Sequence, residues 1–292
     1  MRAIQYAAPT TIPDAIEILG RIGPRARVLA GGTDLIPQVN EYMREVDVVV
    51  DCKRIPELMQ LTFDPSAGLT IGAAVPCYVI YGNNNVQRYY AGIADAASII
   101  GSTGIQGRAS LGGNLCNSGP AADSIPPLIA YSAFANIAGP SGNRSVAVEI
   151  FCTAPGRNVL EPGEMLVSLT LPAPPARSGG RYIRFIPRNE MDIAEVGVGA
   201  YLELDGAGAI SNARIALAAV APTPLFVAAA GDSLIGKMTS ELAYSEAGEI
   251  ARDAATPITD MRGTAEHRKH LVGVLTRRAL AGALERIVGT SD

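Results

Sequence analysis

Two Gly-Gly pairs, in Ala30-Gly31-Gly32-Thr33-Asp34-Leu35 and Ser110-Leu111-Gly112-Gly113-Asn114-Leu115, are the segments best suited to hold a ligand. Adjacent glycines let the backbone reach φ > 0 and leave no Cβ in front of their N–H groups. Successive N–H groups can then converge on an anion such as a pyrophosphate. The hydroxyls of Thr33 and Ser110 add donors, and the Asn114 amide can both donate and accept. Each motif is short and, taken alone, reads more readily as a plain turn. Together they suit a ligand carrying two phosphates and a polyhydroxylated chain. Asp123 lies nine positions after Asn114. It reads either as a carboxylate accepting from ribose or ribityl hydroxyls, or as the cap of a helix beginning at Ser124.

Other chemistries find little support. Neither loop is a Walker A sequence, and no GxGxxG opens a clear βαβ unit, so a Rossmann-type fold is not expected. The two histidines, His267 and His270, fall in one late helix beside Arg268 and Lys269 and read as a solvated face. Cys52, Cys77, Cys116 and Cys152 are scattered, with no CxxC pair. They read as small buried hydrophobes, and no metal or iron–sulfur cluster built from this chain is expected. The net charge of −4, without a basic run, argues against nucleic acid as a partner. No apolar stretch approaches the roughly 18 residues of a membrane helix, and Met1 to Tyr6 lacks the core of a signal peptide. A cytoplasmic protein is expected, and peripheral contact with a membrane as part of a complex is compatible with this composition.

The elements that must position these loops follow from periodicity. Asp14 to Arg21 predicts a helix, Arg27 to Ala30 a strand ending at the first Gly-Gly, and Val46 to Val50 a buried strand. A short strand is expected at Leu69 to Ile71, a helix at Ala91 to Ile100, a helix at Ser124 to Ser132 and a strand at Met165 to Leu171. Pro172 to Gly180 is the best linker. Strands then follow at Tyr182 to Phe185, Val196 to Leu204 and Ala213 to Val220, with helices at Phe226 to Ile235, Ser240 to Ala254 and Ala265 to Ile287. Strands followed by helices suggest an α+β second domain with helices on one face of one sheet.

In this order, the segments resemble the FAD-binding medium subunit of the molybdenum hydroxylases, the xanthine dehydrogenase and carbon monoxide dehydrogenase family. The likeness covers nearly the whole chain. Ala30 to Leu35 is similar to the family's first pyrophosphate loop and Ser110 to Asn114 to its second. Asp123 matches the family's ribityl-binding aspartate, and Gly163-Glu164-Met165-Leu166-Val167 resembles the strand meeting the isoalloxazine edge. Arg184 through Asp192-Ile193-Ala194, Ala221 to Pro224 and Arg262 to Arg268 resemble stretches of the family's C-terminal domain.

The resemblance implies an α+β fold: a FAD-binding domain of the vanillyl-alcohol oxidase (PCMH) type in two subdomains over residues 1–175 and a small α+β domain over 176–292. It implies cofactor contacts from Leu29, Ala30, Gly31, Gly32, Thr33, Asp34 and Leu35. Further contacts would come from Ile100, Ile105, Ser110, Gly112, Gly113, Asn114, Asp123, Leu166, Val167 and Arg184. Arg184 stands where many members have Lys, which keeps the charge in a planar fork. FAD would relay electrons, with no acid–base residue assigned here. A small [2Fe-2S] subunit and a large molybdopterin subunit would complete a dimer of heterotrimers. The alternative is a stand-alone FAD-dependent oxidoreductase acting on its own small organic substrate.

Overall fold

The computed structural model describes residues 3–289. Strand β1 (Gln5–Ala7) leads into helix α1 (Ile12–Ile22), which Thr11 caps by accepting from the Asp14 N–H at 3.3 Å. Pro13 sits in the first turn, where its missing N–H costs nothing and its fixed φ suits the helix. Ala15 and Leu19, one turn apart, are buried with strands β2 (Ala26–Leu29) and β3 (Val48–Asp51). Helix α2 (Leu35–Asn40) joins those two strands. The three strands are parallel, in the order β1-β3-β2. β2 is therefore an edge strand, and the first Gly-Gly turn follows directly from it.

After helix α3 (Pro56–Met59), strands β4 (Leu61–Asp64) and β5 (Gly68–Gly72) open a second sheet. A helical layer follows: α4 (Cys77–Tyr81), α5 (Asn84–Tyr89), α6 (Ala91–Ile99), α7 (Thr103–Gln106), α8 (Leu111–Asn117) and α9 (Ile125–Ala130). The chain returns through β6 (Phe134–Gly139) and β7 (Gly142–Ala147), a small pair β8 (Cys152–Ala154) and β9 (Arg157–Asn158), and β10 (Met165–Leu171). The second sheet is antiparallel, in the order β4-β5-β10-β6-β7, with β10 at its centre. Leu69, Ile71, Leu111, Leu115, Leu166 and Leu169 are all buried in the core between this sheet and the helices.

The C-terminal half holds β11 (Ser178–Phe185), β12 (Val196–Leu204), β13 (Ile210–Ala218) and β14 (Leu225–Phe226), hydrogen-bonded in that order. Helices α10 (Ala228–Asp232), α11 (Glu241–Ala254) and α12 (Ala265–Gly289) complete it. β11 begins inside the segment expected to be linker, because Ser178 to Gly180 pair with Tyr201 to Glu203.

The sheet is covered on both faces, not on one as expected. Val196, Val198, Ala200 and Leu202 share a core with α11 and α12. Tyr201 belongs to the core of the first half, and a Cβ on Gly199 would lie 2.7 Å from the Pro126 backbone at α9. Alternation along a strand sends these two sets to opposite faces. The two halves are also joined by charge: Asp95 of α6 accepts from Arg286 at 2.7 and 2.8 Å and from the Tyr182 N–H at 3.0 Å.

Candidate functional site

A cavity of about 680 Å³ lies between the β2–α2 turn and the start of α8, with Leu166 and the 160–165 segment as further walls. Ala30, Gly31, Gly32, Thr33, Asp34 and Leu35 line it from the first motif. Ser110, Gly112, Gly113 and Asn114 line it from the second, together with Ile100 and Leu166. The two motifs, far apart in sequence, thus face one space.

Their backbones differ. Gly32 has φ +77°, so the first pair is a true turn that an L side chain would strain. The second pair, expected as a loop, is the first turn of α8. Ser110 is its N-cap: extended at φ −131°, it accepts from the Gly113 N–H at 3.1 Å. The expectation that glycine clears Cβ atoms from the ligand also needs revision. A Cβ on Gly31 would lie 2.0 Å from the Arg108 carbonyl oxygen, and one on Gly112 would lie 2.4 Å from that of Ala73. At these two positions glycine lets loop and scaffold approach each other.

Neighbouring groups fix both loops. The Lys53 ammonium donates to the Ala30 carbonyl at 2.9 Å and to Asp51 Oδ1 at 2.6 Å, while the Tyr6 hydroxyl donates to Asp51 Oδ2 at 2.7 Å. Asn114 Oδ1 accepts from the Ser124 hydroxyl at 2.6 Å, which leaves the Asn114 N–H donors for the cavity. A chain missed by sequence reasoning links the loops: Arg44 Nε donates to Gln38 Oε1 (2.5 Å), Gln38 Nε2 to Asn117 Oδ1 (3.1 Å) and Asn117 Nδ2 to Asp34 Oδ1 (3.3 Å). All four side chains belong to residues lining the cavity. Burial pushes the Asp34 carboxyl above its ordinary range. The polar residues one turn into α2 and at the end of α8 were the signal available, but their pairing spans 79 and 83 positions.

Five expected contact residues, Leu29, Ile105, Asp123, Val167 and Arg184, are not among those lining this cavity. Asp123 accepts from the Tyr182 hydroxyl at 2.8 Å and from Arg184 at 2.6 Å, across the two halves. Burial pushes its carboxyl up, against the pull of Arg184 and Tyr182. Its reading as a helix cap fails, since α9 starts after Ser124 and has no side-chain cap. Val167 sits where β10 shifts register against β6 between Leu166 and Ser168. Such a bulge re-aims the side chains beside it, and here Leu166 reaches the cavity. Leu29 abuts Gly32 and Ile105 abuts Gly101, each as a brace. Cys52 and Cys116 are also among the lining residues, and burial pushes their thiols up to about 12, so both are poor nucleophiles.

The cavity's size falls within the roughly 300–1,000 Å³ of small-molecule and cofactor sites. The unpaired N–H groups at two helix starts can meet a pyrophosphate. Arg27, also on the wall, has a buried Nε with no partner. These residues fit a dinucleotide such as FAD.

The family described as the FAD binding domain in molybdopterin dehydrogenase matches residues 2–174, and the CO dehydrogenase flavoprotein C-terminal domain matches residues 181–283. A xanthine dehydrogenase FAD-binding subunit from Escherichia coli is 31% identical over 280 residues, covering 96% of this chain and 95% of that one. The carbon monoxide dehydrogenase medium chain of Hydrogenophaga pseudoflava is 30% identical over 282 residues, covering 97% of each. Among solved structures, the reconstituted CO dehydrogenase from Oligotropha carboxidovorans aligns with a TM-score of 0.93 at 29% identity, covering 98% of this chain and 99% of that one. With two matching domains in order and full-length relatives at this identity, the chain belongs to the FAD-binding flavoprotein subunits of the molybdenum hydroxylases, an oxidoreductase family.

Proposed function

We propose that this chain is the electron-relaying subunit of a hydroxylase complex, in which FAD takes up reducing equivalents and gives them to an external acceptor. The observation carrying this reading is the single cavity walled by both Gly-Gly motifs. The chain's own residues bind and orient. Gly31 to Asp34 and Ser110 to Asn114 would hold the pyrophosphate and the adjoining polyol, with Ile100 and Leu166 against the ring. Leu29, Ile105 and Val167 would brace these contacts, and the Asp123–Arg184–Tyr182 set would fix the seam from behind. Residues 1–175 would form the FAD-binding domain and 176–292 the C-terminal domain. A cofactor carries such redox chemistry while the protein supplies position and field.

The electron source would be the [2Fe-2S] clusters of a small partner subunit, fed by a molybdopterin subunit, in a dimer of heterotrimers. Relatives of this chain are named for xanthine, carbon monoxide and nicotine chemistry. That relatives sharing one flavoprotein fold are named for substrates so different supports a substrate site in another polypeptide. No helix among the described residues is long and apolar enough to cross a membrane, and we place the complex in the cytoplasm. The test is purification of the full chain alone and co-expressed with its partners. The chain alone should carry releasable FAD and turn over no organic substrate, while the complex should reduce that FAD when given substrate. Turnover by the isolated chain would overturn the relay reading.

A further inference from the structure

The cavity holds a feature that neither Gly-Gly motif accounts for. Arg27, on edge strand β2, and Arg44, past the end of α2, both line it. Among the described residues neither guanidinium forms an ion pair with a carboxylate. Arg27 donates only to the carbonyl of its neighbour Ala26, at 3.2 Å, and its buried Nε has no partner. Arg44 meets the neutral Gln38 amide. Burial, and then the charge of Arg44, push the Arg27 guanidinium down. Two like charges lining one cavity, with a buried donor unmet, are unfavourable unless an anion joins them there. The acidic residues on the same wall are engaged elsewhere or turned to solvent: Asp34 accepts from Asn117, Glu164 pairs with Arg144, and Glu161 is exposed.

We infer that Arg27 and Arg44 form a cationic clamp that binds the diphosphate of the ligand alongside the backbone N–H groups. The inference rests on the flavin reading above and extends it. The Gly-Gly segments offer only partial charges, whereas a diphosphate diester carries two negative charges. Two guanidiniums supply the balance and a planar fork for phosphate oxygens. The chain from Arg44 through Gln38 and Asn117 to Asp34 would then register the clamp against both loops.

The test uses the full chain freed of flavin, titrated with FAD, ADP and riboflavin by fluorescence and calorimetry at two salt concentrations. The parent should bind FAD and compete it with ADP. Arg27→Gln and Arg44→Gln should each weaken FAD and ADP about tenfold or more, as expected for a lost charge-assisted bond. Riboflavin, which has no phosphate, should bind as before, and the salt dependence of FAD binding should flatten. Arg27→Lys should recover part of the loss. Melting of the flavin-free variants separates folding from binding. Should Arg27→Gln fail to fold, Arg44→Gln, at a half-exposed position, and Arg27→Lys still decide the matter. Variants that bind FAD and ADP like the parent, or that lose riboflavin equally, overturn the clamp while leaving the flavin reading intact. A parent that binds ADP but not FAD, with ADP lost in the variants, keeps the clamp and removes the flavin. A parent that binds neither removes both.

Discussion

The same dipeptide serves two different physical purposes in this molecule. Gly31-Gly32 ends an edge strand, and Gly32 needs its positive φ to turn the chain into α2. Gly112-Gly113 opens a capped helix at ordinary helical angles, and Gly112 is needed because the Ala73 backbone lies against it. The first pair thus carries a torsional demand at Gly32 beside a contact at Gly31, while the second is held by contact alone. Both therefore look alike in sequence, yet they should respond differently to a methyl group.

The sharpest break in that comparison is Gly112→Val. Its Cβ would sit 2.4 to 2.7 Å from three Ala73 atoms, two of them backbone, at a buried position. Backbone cannot rotate away as a side chain can, so a loss of about 3 kcal/mol or more is expected, together with loss of flavin retention. Denaturant unfolding and the flavin-to-protein absorbance ratio measure the two effects. A variant that folds and holds flavin like the parent would show that α8 can slide off Ala73. Gly31→Ala comes next. Its methyl would meet the Arg108 carbonyl oxygen, and separating the two motifs should cost about 2 kcal/mol and weaken flavin binding, read by titration.

Gly32→Ala tests the torsional half. The nearest atoms are the Cδ1 methyls of Ile36 and Leu29, at 2.8 and 2.9 Å, which can move by rotating a side chain. The remaining cost is the left-handed backbone, about 1–2 kcal/mol for a residue with a Cβ. A loss equal to that of Gly112→Val in the same unfolding assay would mean that packing governs both pairs.

These contrasts also explain what could be read in advance. Val196 to Leu204 was legible to the residue as a largely apolar run, and Met165 to Leu171 from its alternation. α8 was not legible. Gly-Gly-Asn is a poor helix former, and the helix exists through the Ser110 cap and its packing on Ala73. β1 and β4 were missed, being strands of three and four residues with exposed positions. In the site, individual residues were readable but their partners were not. Asp123 and Arg184 were each named, yet their mutual ion pair spans 61 positions. Folding joins the two across the seam between the halves. Arg27 was read only as part of a strand, since nothing in a sequence marks a guanidinium that folding leaves without a partner.

The smallest expected effect belongs to Gly113→Ala, and its smallness is what makes it useful. Gly113 has helical torsions, so alanine adds no backbone strain and gains up to about 1 kcal/mol of helix propensity. Against this, the new methyl would lie 3.1 Å from Ser110 Oγ, the oxygen that caps α8 by accepting from the Gly113 N–H. A displaced cap costs roughly 1 kcal/mol. The two terms nearly cancel, so thermal unfolding should shift by no more than a degree or two. Flavin affinity should fall only if the Ser110 hydroxyl also donates to the ligand. Unchanged stability with weaker flavin binding would assign that hydroxyl to the ligand as well as to the cap. If both remained unchanged, Gly113 would be the one glycine of the four that neither torsion nor contact demands. A large destabilisation would instead show that the second pair, like the first, depends on a torsion that only glycine adopts, and the distinction between the two loops would fail.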